Sequence, residues 1–175
     1  MPFHFSERSL SRLDGLHFVL RDVALKAIAL STVDFAITEG LRAQERQAEL
    51  VKAGASRTMN GRHVTGHAVD VVAVVGGVLR WELVWYPQIA HAFRQAGIAL
   101  HAPLVWGCVW DRTLNEIDYD LADAATQYQE RWYRTHPRPA NRDKREFWGP
   151  LIDGPHFELS RKEYPADPRT IPVTA

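Results

Sequence analysis

The sequence predicts an α+β fold: a single domain with a small, mainly antiparallel sheet, N-terminal helices packed on it, and a helical and loop insertion at about 111–150. Three observations support this prediction. The 175 residues fit one domain, 1–175, and 46% of them are hydrophobic, which is enough to bury a core. Helical patterns come first, and short strand patterns joined by tight turns follow them. The regular alternation of strands and helices that favours a parallel sheet is missing from the sequence.

Local patterns place the elements in chain order. Ser6 can cap a short first helix, and the helix that follows carries its apolar residues on one stripe. Gly54 is a typical helix stop, and Gly76-Gly77 is a hairpin signal after a run dense in valine. The predicted elements are helices at about 6–13, 16–30, 43–54, 82–97 and 119–134, and strands at 33–38, 68–75, 78–81 and 154–159, with 103–110 either a further strand or a buried loop.

The C-terminal half contains the less regular segments. Pro87 lies within the early turns of helix 82–97, and Gly97 is expected to end that helix. The segment 111–150 is charged and rich in Asp, Arg, Tyr and Trp, so we interpret it as an insertion that either covers a cleft or packs at the surface. The tail, 164–175, is Pro-rich and is expected to be irregular.

Charge and cysteine content exclude several classes of function. Lys+Arg equals Asp+Glu at 21 each, so no basic excess draws the chain to nucleic acid, and no stable membrane association is expected. Cys108 is the only cysteine, which excludes an internal disulfide and leaves histidines and carboxylates to hold any metal. The first residues carry charge early and have no apolar signal region, so we expect a protein that is made and kept in the cytoplasm.

Two histidines, two glycines and an aspartate lie together just before or within the valine-rich strand. His63 and His67 are four residues apart, as two zinc ligands on a helix would be, but Gly66 and the following valines favour extended chain. The alternative pairs His63 with Asp70, a carboxylate within a strand that needs a partner or a metal if it is buried. From spacing alone, a salt bridge explains Asp70 equally well, and His67 is better explained as a plain polar residue.

The last predicted strand offers a third ligand. His156 enters this strand, and Asp153 precedes it across a Gly-Pro turn. A catalytic zinc commonly has three protein ligands and one open position for water, whose proton Asp153 would be placed to accept. Taken alone, the pair is better explained by a tight turn followed by an edge histidine.

Arg42 follows the first predicted strand and is the candidate cation of the site. A guanidinium close to a zinc ion could bind the substrate carbonyl or the oxyanion that develops from it, although most arginines in this position lie on the surface. Glu39, Glu45 and Arg46 fit the surface interpretation better still.

Taken in order, these segments resemble the M15 zinc peptidases, and most closely the phage endolysins that are L-alanyl-D-glutamate peptidases, relatives of the VanY-type D,D-carboxypeptidases with the LAS-type fold. The family pattern S-x-H-x-x-G-x-A-x-D matches 61–70, [DE]-x-x-H matches 153–156, and G-x-R matches 40–42. The resemblance covers nearly the whole chain outside the insertion and the tail. Two departures stand out: Gly61 replaces the usual Ser, and WGCVW at 106–110 replaces the commoner W-G-G-D-W, which is expected to alter the pocket wall.

The resemblance implies zinc on His63, Asp70 and His156, with Asp153 as the general base and Arg42 polarising the scissile carbonyl. It implies a peptidoglycan peptidase that cleaves the L-Ala-D-Glu bond of stem peptides and lyses the host. Such an endolysin is expected to be a monomer that waits in the host cytoplasm until a holin opens the way to the cell wall in the periplasm. Two alternatives stay open, a D,D-carboxypeptidase that trims a terminal D-Ala and a catalytically inactive cell-wall-binding module.

Overall fold

One antiparallel sheet organises the computed structural model, which describes residues 2–56, 58–140 and 147–165. Its strands within these ranges are β1 (Asp34–Glu39), β2 (Ala68–Val75), β3 (Val78–Arg80), β4 (Leu104–Trp106) and β5 (His156–Leu159). The strand order is β1-β2-β5-β4, and every pairing is antiparallel. β3 and β5 both pair with the side of β2 away from β1, at opposite ends of it. The predicted α+β fold class is confirmed.

Side chains cap the N-termini of some of the helices. They are α1 (Glu7–Ser11), α2 (Phe18–Leu30), α3 (Gln44–Lys52), α4 (Tyr86–Ala99) and α5 (Leu121–Thr135), with 3-10 turns at Leu83–Trp85 and Leu114–Glu116. As predicted, Ser6 caps α1, because its hydroxyl accepts a hydrogen bond from the Ser9 N–H at 3.3 Å. α2 begins slightly later than predicted because the imidazole of His17 occupies its N-cap and accepts from the Val19 N–H at 3.3 Å.

The prediction that Gly97 ends its helix is wrong. α4 continues to Ala99, and the chain reverses at His101, whose φ is 52°. A side chain at position 97 would lie 2.7 Å from the carbonyl oxygen of Ala102. Glycine at this position therefore lets the chain after the helix pack back onto it.

Strand β4 is shorter than the predicted 103–110. The chain turns after Trp106, and the N–H of Val109 donates back to the Trp106 carbonyl at 2.8 Å. The remainder of the predicted strand is therefore a buried turn, which the sequence left open as an alternative.

The hydrophobic core lies between the sheet and helices α2 and α4. The odd-numbered positions 69–73 of β2 belong to this core, together with Phe157 of β5, on whose ring Phe93 of α4 stacks with centroids 4.0 Å apart. Side chains alternate along a strand, so Asp70 and His156 project from the opposite face. The helical layer thus covers one face of the sheet, and the polar residues of the opposite face remain available for a site.

The segment 111–150 packs on the helical layer. The residues of α5 that are buried, Leu121, Ala124, Ala125 and Tyr128, belong to the same core as α4. Positions 141–146 of this segment and 166–175 of the tail lie outside the described residues. No helix in the described part of the chain is long and apolar enough to cross a membrane.

Candidate active site

Three ligand atoms from distant parts of the chain converge on one point. The Nε2 atom of His63 lies 3.2 Å from Oδ1 of Asp70 and 3.3 Å from Nδ1 of His156. The third edge of this triangle, from His156 Nδ1 to Asp70 Oδ1, is 3.0 Å. These two imidazoles and one carboxylate are the cluster in the described structure that could hold a metal ion. The structure therefore brings together the three residues predicted as ligands.

The sheet and the loop before it place these residues. Asp70 stands directly opposite His156 in the ladder between β2 and β5. His63 reaches them from the preceding loop, which reverses at Gly66 with φ of 68°. A side chain at position 66 would lie 2.5 Å from the carbonyl oxygen of Gly15, so both the conformation and the close packing require glycine.

His67 has no part in this cluster, and the helical pairing of His63 with His67 is excluded. Its Nδ1–H donates to the Thr65 carbonyl at 2.7 Å, and its ring contacts that of His17 with centroids 4.8 Å apart. Burial lowers the pKa of His67, and the charge of Arg62 lowers it further. This histidine is a structural residue of the loop.

The outer ring nitrogens of both histidines are fixed by hydrogen bonds. His63 Nδ1 donates to the carbonyl of Gly40 at 2.9 Å, and His156 Nε2 donates to Oε2 of Glu158 at 3.1 Å. Each bond holds a ring proton on the outer nitrogen, so the inner nitrogen is the one that faces the centre and that would supply a lone pair to a metal ion once it has lost its own proton.

Glu158 is a site residue that the sequence analysis missed. It is only 4% exposed, and its second oxygen accepts from Nε of Arg161 at 3.2 Å. The sequence did contain a signal, because residues 156 and 158 of one strand must face the same side of the sheet.

Asp70 and His156 shift each other's pKa values in the direction that favours the charged forms. Burial alone would raise the pKa of Asp70, but hydrogen bonds from His156 and His63 hold it well below its ordinary value. Burial would lower the pKa of His156, whereas Asp70 and Glu158 raise it to about 9 in the metal-free protein. Asp70 is therefore ionised at neutral pH and available as an anionic ligand.

Asp153 lies beside the cluster at a fixed position. Its N–H donates to the Gly107 carbonyl at 2.9 Å, and its carbonyl accepts from the His156 N–H at 3.1 Å. Burial raises the pKa of its carboxyl, and Asp70 raises it further, against the opposing charges of His156, His63 and Arg42. A carboxylate with a raised pKa is suited to accepting a proton and returning it.

Arg42 is held beside the cluster by other side chains. Its Nε donates to Oε1 of Glu39 at 2.7 Å, its Nη2 donates to the other oxygen of Glu39, and its Nη1 donates to Oε1 of Gln47 at 2.8 Å. Nη2 lies 3.9 Å from Oδ2 of Asp70. The guanidinium is thus oriented toward the cluster of candidate ligands, not toward bulk solvent.

The surface interpretation of Glu39 is wrong. The register of β1 shifts between Ile37 and Glu39, and this irregularity pairs Glu39 with Asp70 across the sheet. Glu39 therefore forms an ion pair with Arg42 at the edge of the site. Gln47, which is fully buried, was also missed and holds the same guanidinium from the other side.

An open cleft of about 540 Å³ runs past the cluster. It lies beside Asp70 of β2 and the residues just before β5. Its lining residues are Thr38, Glu39, Arg46, Asp70, Trp81, Asp153 and Pro155. No described residue of segment 111–150 lines this cleft. The described part of that segment therefore packs at the surface and does not cover the cleft.

The two departures from the family pattern have different consequences. Cys108 and Val109 are fully buried and do not line the cleft, so the expected change in the pocket wall is not found there. Burial and the nearby Asp153 raise the pKa of the Cys108 thiol to about 12. At position 61, a Cβ atom would lie 3.3 Å from the amide atoms of Gln47. The missing Ser would therefore have stood beside the side chain that holds Arg42.

A sheet that carries two histidines and a carboxylate around one point, with a second carboxylate and an arginine beside them, is an arrangement typical of metal-dependent hydrolases. Residues 1–128 match the sequence model of the phage L-alanyl-D-glutamate peptidases. The chain belongs to this family. The match includes His63 and Asp70 and ends before Asp153 and His156.

Individual relatives agree with this assignment. The chain is 31% identical over 115 residues to the L-alanyl-D-glutamate peptidase of Escherichia phage T5, covering 63% of this chain and 84% of the relative. It is 32% identical over 84 residues to the L-alanyl-D-glutamate peptidase of Listeria phage A118, covering 46% of this chain and 30% of that longer protein. The crystal structure of the Serratia marcescens L-Ala D-Glu endopeptidase ChiX is similar, with a TM-score of 0.67, 36% identity, and coverage of 94% of this chain and 96% of that one.

Proposed function

We propose that this chain is a zinc-dependent peptidoglycan peptidase that hydrolyses the L-Ala-D-Glu bond of stem peptides. The observation that carries the proposal is the convergence of His63, Asp70 and His156 at the cleft of a chain that belongs to the L-alanyl-D-glutamate peptidase family. The relatives are named for cleavage of the L-Ala-D-Glu bond, and the three candidate ligands could hold the metal ion that hydrolysis of this bond would use.

The donor set fits zinc. Around a tetrahedral zinc ion with bonds of about 2.0–2.1 Å, neighbouring ligand atoms stand about 3.3 Å apart. The three separations of 3.2, 3.3 and 3.0 Å are close to this value. Two imidazoles also favour zinc over calcium or magnesium, which prefer oxygen ligands. When bound there, the ion would act as a Lewis acid that makes water a better nucleophile and polarises the scissile carbonyl.

The residues around the ligands provide the remaining chemistry. We assign Asp153 as the general base that takes a proton from the attacking water and returns it to the amine of D-Glu as the bond breaks. Its raised pKa suits both steps, because the carboxyl must hold the proton and then release it. Arg42 is assigned to the oxyanion that develops on the L-Ala carbonyl, with Glu39 and Gln47 fixing its orientation.

The biological role proposed here is that of a phage endolysin. The stem peptide is the proposed partner, the chain acts as a monomer, and it waits in the host cytoplasm until a holin gives it access to the wall. Membership of a phage peptidase family supports this role, and lysis of the host follows from cutting the cross-linked wall.

The test is digestion of purified peptidoglycan and identification of the products by mass spectrometry, with zinc and with a chelator. We expect released peptides that begin with D-Glu, because L-Ala stays on the glycan strand, and no products when zinc is removed. Loss of a single D-Ala from intact stem peptides would instead identify a D,D-carboxypeptidase. Binding to the wall without any product would identify an inactive wall-binding module.

A further inference from the structure

We infer that Arg46 is the residue by which this cleft recognises the acidic group next to the scissile bond. This inference rests on the proposed function and adds to it the substrate feature that is selected. Arg46 is exposed, as the sequence predicted, and it also lines the same cleft as Asp70 and Asp153.

The substrate carries a negative charge close to the bond that is cut. D-glutamate has two carboxyl groups, and only one of them can continue the peptide chain. The other is therefore left as a side group within a few bonds of the nitrogen of the scissile amide. It is anionic in the free acid and neutral when the wall carries it as an amide.

Most of the charged side chains that line the cleft are acidic. Three of its lining side chains are carboxylates, Glu39, Asp70 and Asp153. Arg42 already binds both oxygens of Glu39 and the amide of Gln47, and the proposed reaction assigns its remaining interaction to the carbonyl. Among the described residues that line the cleft, Arg46 is the one with a lysine or arginine side chain.

Arg46 is free to exchange its present partner. Its side chain is 59% exposed and meets Glu49 in the same helix at 3.0 Å, and Glu49 is itself 68% exposed. Solvent screens an ion pair of this kind, so it contributes little and is readily replaced. A planar guanidinium can then bind a substrate carboxylate through two parallel hydrogen bonds.

Position also favours this role. Arg46 is in the first turn of α3, a short distance along the chain from Arg42, and lines the cleft together with Thr38 and Glu39 of β1. Asp153 and Pro155 approach from the β5 side, across β2. A peptide that lies across β2 would therefore have its scissile amide between the residues of β1 and those just before β5, and its acidic side group toward α3.

The experiment compares two synthetic stem peptides that differ only at the side carboxyl of D-Glu, which is free in one and a primary amide in the other. The zinc-loaded protein is assayed for kcat/KM on each peptide by following the new amine. We expect the wild type to prefer the free acid by about fivefold, the size of an exposed ion pair. Arg46→Gln should reduce this preference to about one, whereas Arg46→Lys should keep most of it.

Lys52→Gln is the matched control, because it removes one positive charge from the exposed side of the same helix without touching the cleft. It should keep the wild-type preference. The inference is overturned if Arg46→Gln keeps the preference of the wild type, or if Lys52→Gln loses it equally. Failure of the wild type to cut either peptide would instead reject the proposed function, so the two failures can be distinguished.

Discussion

Glu158 provides the sharpest test of how the metal ligands are held. In Glu158→Gln the side chain keeps its shape and one acceptor oxygen, but the hydrogen bond from His156 Nε2, now 3.1 Å long to a carboxylate, becomes a bond to a neutral group. Bonds to an ionised acceptor are roughly twice as strong as neutral ones, and loss of such outer partners commonly costs about 10–100-fold in metal affinity.

Because Glu158→Gln keeps one acceptor oxygen, we expect its loss of zinc affinity to fall at the lower end of this range. We expect zinc to bind about tenfold more weakly, equivalent to about 1.4 kcal/mol. Glu158→Ala removes the acceptor entirely and leaves the ring of His156 without its outer partner, so a loss of about 100-fold is expected. The measurement is the zinc Kd, obtained by competition with a chromogenic chelator at fixed pH.

Arg161→Gln is the control for general charge effects. Arg161 is the other partner of Glu158, at 3.2 Å, and its side chain is 62% exposed, so its loss removes a charge without disturbing the bond to His156. Its zinc Kd should stay within about threefold of the wild-type value, since exposed pairs contribute little. Wild-type zinc affinity in Glu158→Gln, or an equal loss in Arg161→Gln, would refute the argument. Thermal unfolding in chelator checks that each variant folds.

Three further predictions concern the neighbouring groups. Asp153→Asn should lower kcat by about 10²–10⁴-fold while leaving the zinc Kd unchanged, because the base is lost and the ligands are not; parallel loss of zinc would contradict the assigned role. Cys108 should not react with a thiol reagent at pH 8 until the protein is unfolded, since it is buried and its pKa is raised to about 12; rapid labelling of folded protein would contradict its position. In zinc-free protein, burial lowers the pKa of His156 but Asp70 and Glu158 raise it to about 9, above the ordinary 6.5. Its stabilising contribution is therefore complete below pH 6.5 and is lost as the pH rises through 9, so the urea midpoint should fall over that range, whereas a flat or rising midpoint would contradict the pairing.

The fold class was predictable because its signals are local. The valine-rich run at 68–75 has the composition of a strand, and Gly76-Gly77 fixes the hairpin that follows it. The end of α4 was not predictable in the same way. Gly97 resembles a helix stop, but its role is to let residues after the helix pack against it, which is a tertiary effect.

The cluster of candidate metal ligands was predictable only in part from the residues themselves. Asp70 within a valine strand indicates that a partner exists, but pairing it with His156 requires β5 to lie beside β2, which no local pattern encodes. The family resemblance supplied that long-range information.

Glu39, which the sequence placed at the surface, and Arg46, which is exposed as predicted but also lines the cleft, show the limit of arguments from local sequence. A charged residue near a helix start or strand end looks the same whether it faces solvent or a cleft. The irregularity in β1 and the position of α3 decide between these outcomes, and both depend on the assembled sheet.

The central claim is that one zinc ion, held by His63, Asp70 and His156, enables cleavage of the L-Ala-D-Glu bond. Its most direct test is titration of zinc into chelator-treated protein while release of D-Glu amino termini from peptidoglycan is followed. We predict no release without metal, a rise in proportion to added zinc, and saturation at one zinc per chain. Full release from metal-free protein, or no release when zinc is bound in that ratio, would contradict the claim.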